Sequence, residues 1–260
     1  MMEIPLYQVD AFTGQLFSGN PAAVCPLTEW LPDDLLSKIA AENNLSETAF
    51  FVATPQGYHL RWFTPTTEVD LCGHATLATA HVIATELDQA TKEVLFETKS
   101  GVLKVTCCDG QYTLDFPSRR PSPLDGILMV EEAIGVRPQA TYISSKLMAV
   151  LDDEESVLAV EPNFDKVAEL PGDGLIITST SRDYDYVARY FGPHCGIPED
   201  PVTGSAHVVC APYWKDVLGK STMIARQLSK RGGVLEIKDC GDRILLTGTA
   251  ILYLKGVIYL

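Results

Sequence analysis

The chain has 260 residues, of which 46% are hydrophobic and 21% are charged, and this composition is that of a globular protein with a full core. Its formal net charge is −14, which argues against a nucleic-acid-binding or anionic-membrane surface, because both need clustered Lys and Arg. An anionic small substrate remains allowed, since a local site can be positive inside an acidic shell.

The sequence carries no recognisable targeting or metal-binding signal. We find no basic segment followed by an apolar run at the N-terminus, and no stretch of about 18 uninterrupted apolar residues that would span a membrane. The seven cysteines are scattered and include no Cys-x-x-Cys pair. We therefore expect a cytoplasmic protein with reduced thiols, no membrane or nucleic-acid partner, and no structural metal.

Hydrophobic periodicity predicts strands and two helices in the first half of the chain. One helix opens at Asp33, with acidic residues in its first turn, and ends at Asn44. A second helix, over about 75–87, has small side chains all round, which indicates a helix packed tightly inside the protein. The predicted strands cover residues 4–12, 22–25, 48–53, 58–63, 94–96, 102–107 and 112–116.

Residues 117–123, rich in Pro, Ser and Arg, form the best linker candidate near the middle of the chain. We therefore predict two domains, an N-terminal half over 1–117 and a C-terminal half over 118–260. The last strand is allowed to cross back to the N-terminal half. Each half is predicted to be a curved sheet around one central helix of small residues.

The second half repeats the order of elements of the first. A helix over 128–134 ends at Gly135, and a second helix follows Gly204 and runs towards Trp214. Pro212 is expected to kink or end this helix, because proline lacks the backbone N–H. The predicted strands lie near 142 and over 148–151, 175–178, 184–191, 234–237, 244–247 and 251–254.

Two polar turns that open a helix lie half a chain apart. A shift of 126 positions (206 − 80) aligns residues 80–82 with residues 206–208, both Ala-His-Val, and places His74 on Asp200. We interpret the two turns as half-sites that face each other across a cleft. His81 and His207, one turn inside their helices, are expected to be packing residues.

Glycine opens each of these helices, at Gly73 and at Gly204-Ser205. Glycine lets a ligand approach the backbone closely, and the free N–H groups of a helix start favour an anion. The alternative at the second turn is a plain N-cap by Ser205 or Thr203, and the two roles can coexist.

Glu47 is the candidate acid/base, because it follows a helix, precedes a strand and is flanked by apolar residues. Desolvation would raise its pKa, and a general base works best with a pKa near ~7. The alternative is a solvated carboxylate, or one that accepts hydrogen bonds from a helix end.

Three further residues are candidates for the same site. His74 could orient a carboxylate or assist a proton, or it could be a cap or a satisfied buried imidazole. Asp200, held extended by the following Pro201, could pair with His74 and set its charge, or it could compensate a helix dipole; the neighbouring Glu199 is expected to be solvated. Cys72 could be a thiolate beside an imidazole and a helix start, although a small apolar core residue is the favoured interpretation.

These motifs, in this order, resemble the PhzF-like family, named for phenazine biosynthesis, over nearly the whole chain. The segments that carry the resemblance are Tyr7-Gln8-Val9-Asp10-Ala11-Phe12, Gly19-Asn20-Pro21-Ala22-Ala23-Val24, Asn44-Leu45-Ser46-Glu47-Thr48, Phe63-Thr64-Pro65, Cys72-Gly73-His74, Glu199-Asp200-Pro201-Val202-Thr203-Gly204-Ser205-Ala206 and Gly248-Thr249-Ala250.

The resemblance implies an α+β, diaminopimelate-epimerase-like fold of two similar halves, each a barrel-like sheet around a central helix, with the active site between them. It also implies a homodimer that needs no cofactor. The family includes an isomerase that moves a proton within a cyclic dihydro-hydroxyanthranilate. By motif, Glu47 is similar to the acid/base of the family, with His74 and Asp200 as its polar partners. The positions implied to contact the substrate are Ser46, Gly73, Gly204 and Ser205.

We therefore expect a cofactor-independent isomerase that transfers a proton within a small carboxylate substrate, with Glu47 as the acid/base. One alternative is a racemase or epimerase that uses Cys72, as relatives of this fold use two cysteines. The second half has no cysteine at the corresponding turn, which puts a two-thiol mechanism in doubt. The other alternative is a family member that only binds a small acid or a protein partner.

Overall fold

The computed structural model describes residues 2–193 and 196–260, so that one of the seven cysteines, Cys195, lies outside the described residues. The chain forms two compact units. The first unit comprises Met1–Asp115 and Thr247–Leu260, and the second comprises Phe116–Leu246. The chain therefore begins and ends in the same unit.

The strands and helices agree with the sequence-based expectation for most of the chain. The strands are β1 (Glu3–Ala11), β2 (Asn20–Leu27), β3 (Glu47–Thr54), β4 (Gly57–Phe63), β5 (Glu68–Val69), β6 (Glu93–Thr98), β7 (Gly101–Cys108), β8 (Gln111–Pro117), β9 (Ser122–Pro123), β10 (Ala140–Ile143), β11 (Leu147–Val150), β12 (Leu175–Ser179), β13 (Tyr186–Phe191), β14 (Thr222–Gln227), β15 (Gly233–Asp239) and β16 (Arg243–Tyr259). The helices are α1 (Asp33–Asn43), α2 (Gly73–Val82), α3 (Ile127–Ile134), α4 (Glu154–Ala159), α5 (Phe164–Ala168) and α6 (Gly204–Leu218), and a π-helical segment, Ile83–Leu87, continues α2.

In the first unit the sheet closes on itself. Its strands follow the order β1-β2-β3-β4-β6-β7-β8-β16, and β16 pairs again with β1, from Glu3 opposite Tyr259 to Ala11 opposite Ala250. The helix α2 packs against β1, β2, β3 and β7 of this barrel. Its residues from His74 to Ala80 and Val82 are all buried, because small side chains allow the strands to approach from every side.

The helix α1 positions the start of β3. Leu36, Ile39 and Ala40 pack with Phe50 and Phe63 in one buried cluster, so α1 is fixed against the sheet. Asn44 ends the helix in the left-handed conformation (φ 50°), as its position after the last apolar residue indicated. The chain then re-enters the sheet at Glu47, which faces Ala22 across the parallel pairing of β2 and β3.

The second unit has strands in the order β16-β15-β14-β13-β12-β11-β10-β9. The segment 117–123 was predicted as a linker. In the structure its first residue, Pro117, is the last residue of β8, and its end forms β9, which pairs with β10. Two short helices, α4 and α5, were not predicted. They have six and five residues, too few for a helical period to show, but the side chains of Asp153 and Asn163 cap them.

The expectation that Pro212 kinks or ends its helix is wrong in its second part, because α6 continues six residues further to Leu218. A proline at this position leaves the carbonyl of Val208 without its usual intrahelical donor. The backbone N–H of Arg119 donates to that carbonyl at 3.2 Å. A neighbouring segment thus supplies the hydrogen bond that proline removes.

Within the described residues, no helix has the length and apolar character needed to cross a membrane.

Gly57 and Gly110 offer a matched test of backbone constraint in the first unit. Gly57 has φ +153°, and a Cβ there would lie 2.3 Å from the carbonyl oxygen of Leu95. Gly110 has φ +77°, with open space around a Cβ. We expect Gly110→Ala to lower the free energy of unfolding by about 1–2 kcal/mol, from the backbone conformation alone. Gly57→Ala should cost about 1–3 kcal/mol more, because the clash adds to it; equal losses in urea unfolding would contradict this.

His207 provides a pH-dependent test of the second unit. It is fully buried in α6, its Nδ1 lies 2.9 Å from the hydroxyl of Tyr186, and burial lowers its pKa from 6.5 to about 4. Below pH 6.5 His207 becomes protonated in the unfolded chain, while the buried ring stays neutral in the folded chain. The free energy of unfolding therefore falls as the pH falls towards 4. The expected loss is about 1.4 kcal/mol per pH unit in that window. Urea unfolding at pH 7 and pH 5 should show a smaller loss for His207→Gln, and parallel losses would contradict the assignment.

Candidate active site

Glu47 and His74 meet inside the first unit. Glu47 is the first residue of β3, His74 is the second residue of α2, and their side chains are buried (8% and 4% exposed as residues). The Oε2 atom of Glu47 lies 3.2 Å from the Nε2 atom of His74. The two residues that the sequence marked as acid/base and polar partner are therefore neighbours.

The other ring nitrogen of His74 has two neighbours. The Nδ2 atom of Asn20 lies 3.0 Å from Nδ1, and the Sγ atom of Cys72 lies 3.5 Å from it. Burial lowers the pKa of His74 from 6.5 to about 3, so the imidazole is neutral near pH 7. A neutral imidazole has one donor and one acceptor nitrogen, and it is a weak base here.

Cys72 precedes the first residue of α2 and is buried. Its carbonyl accepts hydrogen bonds from the backbone N–H and the hydroxyl of Thr76, at 3.1 and 2.6 Å. Ligand atoms of Glu47, Cys72 and His74 all lie within 4.8 Å of one another. A thiol, an imidazole and a carboxylate are ligand types for a divalent cation, and their close approach is a geometric feature only. No step of the reaction proposed below depends on a metal.

The start of α2 has no cap from its own N-cap residue. Cys72 takes the extended conformation of an N-cap residue, but its side chain makes no capping hydrogen bond. The first backbone N–H groups of α2, from Gly73 onwards, are the donors that a helix start presents to an anion. Gly73 and Ser46, both predicted to contact substrate, are half-buried beside His74 and Glu47 in sequence.

In the second unit, Asp200 is a buried carboxylate held by a hydroxyl. It is 7% exposed, and its Oδ2 atom accepts a hydrogen bond of 2.5 Å from Oγ1 of Thr203. Its backbone N–H donates to the carbonyl of Tyr190 at 3.1 Å. The hypothesised pairing of Asp200 with His74 joins residues of separate units and stays a prediction.

Of the two N-cap candidates, Thr203 occupies the N-cap position of α6, and Ser205 lies inside the helix. The hydroxyl of Thr203 donates to Asp200 and makes no capping hydrogen bond. Gly204 is buried and Ser205 half-buried at the first turn. Both central helices therefore begin without a side-chain cap, and their first N–H groups suit an anion.

Glu199 is not solvated as expected. Its two carboxylate oxygens accept hydrogen bonds from Nε and Nη2 of Arg189, at 2.7 and 3.2 Å. The Nη1 atom of Arg189 donates to the carbonyls of Val157 and Val160, at 3.0 and 2.8 Å. Glu199 thus has a structural partner and directs the chain into the turn that carries Asp200.

Sequence reasoning missed two buried carboxamides of these clusters, Asn20 and Gln227. Asn20 was named only within a segment that carries the family resemblance, although it opens β2 and is 0% exposed. Gln227 is the last residue of β14, at a position where the alternation of buried and exposed residues points inward. An amide at an inward position of an alternating strand is the signal that could have revealed it.

Comparisons with known proteins agree with this architecture. Residues 9–256 match the phenazine biosynthesis-like family, PhzC-PhzF. A protein named as an uncharacterized isomerase of Pseudomonas aeruginosa is 47% identical over 262 residues, with all of both chains covered. A second protein so named, of Halalkalibacterium halodurans, is 45% identical over 267 residues, again with all of both chains covered.

Solved structures show the same fold. A PhzF-family phenazine biosynthesis protein of Enterococcus faecalis superposes with a TM-score of 0.97 at 45% identity, over 100% of both chains. A hydroxyproline epimerase of Agrobacterium vitis has a TM-score of 0.62 at 10% identity, over 98% of this chain and 92% of the other, a likeness of fold alone. The predicted α+β, epimerase-like fold is confirmed, and the chain belongs to the phenazine biosynthesis-like (PhzF) family.

Proposed function

We propose that this protein is an isomerase that moves a proton within a small carboxylate substrate, without a cofactor, and that Glu47 is its acid/base. The observation that carries the proposal is the buried carboxylate of Glu47, 3.2 Å from the ring of a neutral His74. The names of two relatives at 45–47% identity, both called isomerases, support the reaction class.

The proton transfer has two steps. The Glu47 carboxylate takes a proton from an activated carbon of the substrate, and the electron pair of the C–H bond remains on the substrate as a delocalised anion. The protonated Glu47 then returns the proton to a second carbon, so the carboxylate is restored and no atom is gained or lost. A buried carboxylate suits both steps, because it need not be resolvated between them.

Each helix start supplies a place for negative charge. The uncapped N–H groups of α2, beginning at Gly73, can bind the substrate carboxylate or the charge that develops as the proton leaves. The start of α6, with Gly204 and Ser205, offers the same kind of donors in the second unit. Ser46 is proposed as a further substrate contact, on its place next to Glu47.

His74 is the neutral polar neighbour of Glu47 in this scheme. With a pKa lowered to about 3, it does not compete with Glu47 for the proton near pH 7. Its N–H instead stabilises the negative charge on Glu47 before the proton is taken up. Asp200 is proposed as the second charged group of the site, on its burial and on the orientation that Thr203 imposes.

Replacing Glu47 tests the acid/base assignment. Glu47→Gln keeps the size of the side chain and an acceptor for His74, but it cannot carry the proton. We expect turnover to fall about 10³-fold or more. Turnover is measured by ¹H NMR in D₂O, as isomerisation or solvent-deuterium uptake in a panel of small carboxylates with an acidic C–H bond. Glu42→Gln, which changes an exposed residue of α1, is the matched control.

Full activity of Glu47→Gln would remove Glu47 from the mechanism. A ligand from the panel that binds tightly to wild type and is never converted would instead support a protein that only binds a small acid. The assay is run with and without EDTA, and equal rates are expected.

A thiol mechanism is the second candidate, because Cys72 Sγ lies 3.5 Å from Nδ1 of His74. The same nitrogen already faces Asn20, which weakens it as a base for the thiol. We expect Cys72→Ser to retain turnover within about tenfold, whereas loss of a catalytic thiol costs orders of magnitude. Iodoacetamide should label the exposed Cys108 and Cys240 without inactivation. Inactivation that follows the labelling of Cys72, read by peptide mass spectrometry, would favour the thiol mechanism.

A further inference from the structure

We propose that each unit holds its buried carboxylate through a buried carboxamide, Asn20 in the first unit and Gln227 in the second, which acts as a positioning residue. In each case the amide nitrogen donates to an intermediate group, and that group lies directly against the carboxylate. The intermediate group is the imidazole of His74 in one unit and the hydroxyl of Thr203 in the other. The effect of this arrangement on turnover rests on the proposed function.

In the first unit the direction of the hydrogen bonds follows from elementary chemistry. A neutral imidazole has one hydrogen, so one ring nitrogen of His74 donates and the other accepts. The group within 3.0 Å of Nδ1 is the amide nitrogen of Asn20, which only donates, so Nδ1 is the acceptor. The hydrogen therefore lies on Nε2, the atom 3.2 Å from Oε2 of Glu47, and these two atoms are in contact without hydrogen-bond geometry.

The place of Asn20 is fixed by the barrel. Asn20 faces Ala11 in the pairing of β1 with β2 and is completely buried. The preceding Gly19 has φ +66°, and a Cβ there would lie 2.2 Å from the carbonyl oxygen of Ala11, so the turn admits glycine only. The constrained backbone at residues 19–20 thus fixes the amide of Asn20 beside His74, as a positioning residue requires.

The second unit contains an equivalent arrangement of carboxamide, intermediate group and carboxylate, formed by other residues. Gln227 is completely buried, and its Nε2 atom donates to Oγ1 of Thr203 at 3.1 Å and to the carbonyl of Asp200 at 2.7 Å. Its Oε1 atom accepts from the backbone N–H of Thr203 at 2.8 Å. A hydroxyl that accepts from the amide turns its own hydrogen outward, and that hydrogen meets Oδ2 of Asp200.

The hydrogen that the Asn20 contact leaves on Nε2 of His74 lies beside the carboxylate of Glu47. Reversal of the His74 tautomer would place a lone pair there instead and would remove the stabilisation of the negative charge.

The tautomer of His74 is measured without any substrate. In long-range ¹H–¹⁵N spectra of histidine-labelled protein at pH 7, the resonances of His74 are assigned by their loss in His74→Gln. We expect a protonated Nε2 and an unprotonated Nδ1 in wild type. In Asn20→Asp the carboxylate only accepts, so Nδ1 should gain a hydrogen, whether the ring is neutral or an imidazolium. A protonated Nδ1 in wild type, or an unchanged tautomer in Asn20→Asp, would overturn the proposal.

Turnover provides the second readout. We expect Asn20→Asp to lower kcat about 10²-fold or more, with a small change in KM, because the base loses its donor. Gln56→Glu, in the exposed turn between β3 and β4, adds the same charge to the same unit and should leave kcat unchanged. Full turnover of Asn20→Asp with a reversed tautomer would sink the positioning role.

Gln227 gives an independent check if Asn20→Asp does not fold. Gln227→Glu removes the donor to Thr203 and is expected to lower kcat by a similar factor, while Gln227→Met keeps the volume and removes the polarity. Unchanged kcat in both variants would overturn the role of Gln227. Full activity of Glu47→Gln would contradict the proposed function but would not affect the measured tautomer of His74. Failure of the proposed function can therefore be distinguished from failure of the positioning role.

Discussion

The contact between Nε2 of His74 and Oε2 of Glu47 is the interaction on which the site in the first unit depends. A carboxylate and an imidazole are buried together, where an unpaired charge would be costly, and the tautomer that accepts from Asn20 places its N–H beside the carboxylate. The closed barrel holds the carboxylate at the start of β3, and the central helix α2 holds the ring. The polar contact therefore requires the whole barrel, although it joins only two side chains.

The two units place different residues at matching positions. A shift of 126 positions puts His74 on Asp200, and both stand just before or at the start of a central helix. In the first unit that position carries the imidazole that lies against a carboxylate, and in the second it carries the carboxylate itself, with Thr203 as donor. The halves share a plan of backbone and helix starts, while the assignment of donor and acceptor differs between them.

Local patterns predicted most of the fold. The helix α1 could be predicted from its acidic first turn, its apolar spacing and the Asn43-Asn44 pair at its end, all within twelve residues. The continuation of α6 past Pro212 could not, because the compensating donor comes from Arg119, far away in the sequence. The tendency of a proline to break a helix can be recognised from the sequence, but the distant donor that compensates for it cannot.

The same limit applies to the site. Glu47 and His74 stood out because each lies at a junction of elements, and this is a local signal. Asn20 lies 54 residues from His74 and Gln227 lies 27 residues from Asp200, so their roles arise only when strands bring them together. Hydrogen-bond partners of this kind are set by tertiary pairing, and single-sequence reasoning has no access to it.

The strand β16 has a consequence for biosynthesis. Residues 247–260 belong to the first unit, and residues 250–259 pair with β1, so the barrel cannot close before this segment has been synthesised. All residues of the second unit precede this segment, so the second unit can fold first. Until the segment is available, β1 and β8 each have an unpaired edge that is prone to intermolecular pairing, so deletion of residues 250–259 would expose the chain to aggregation.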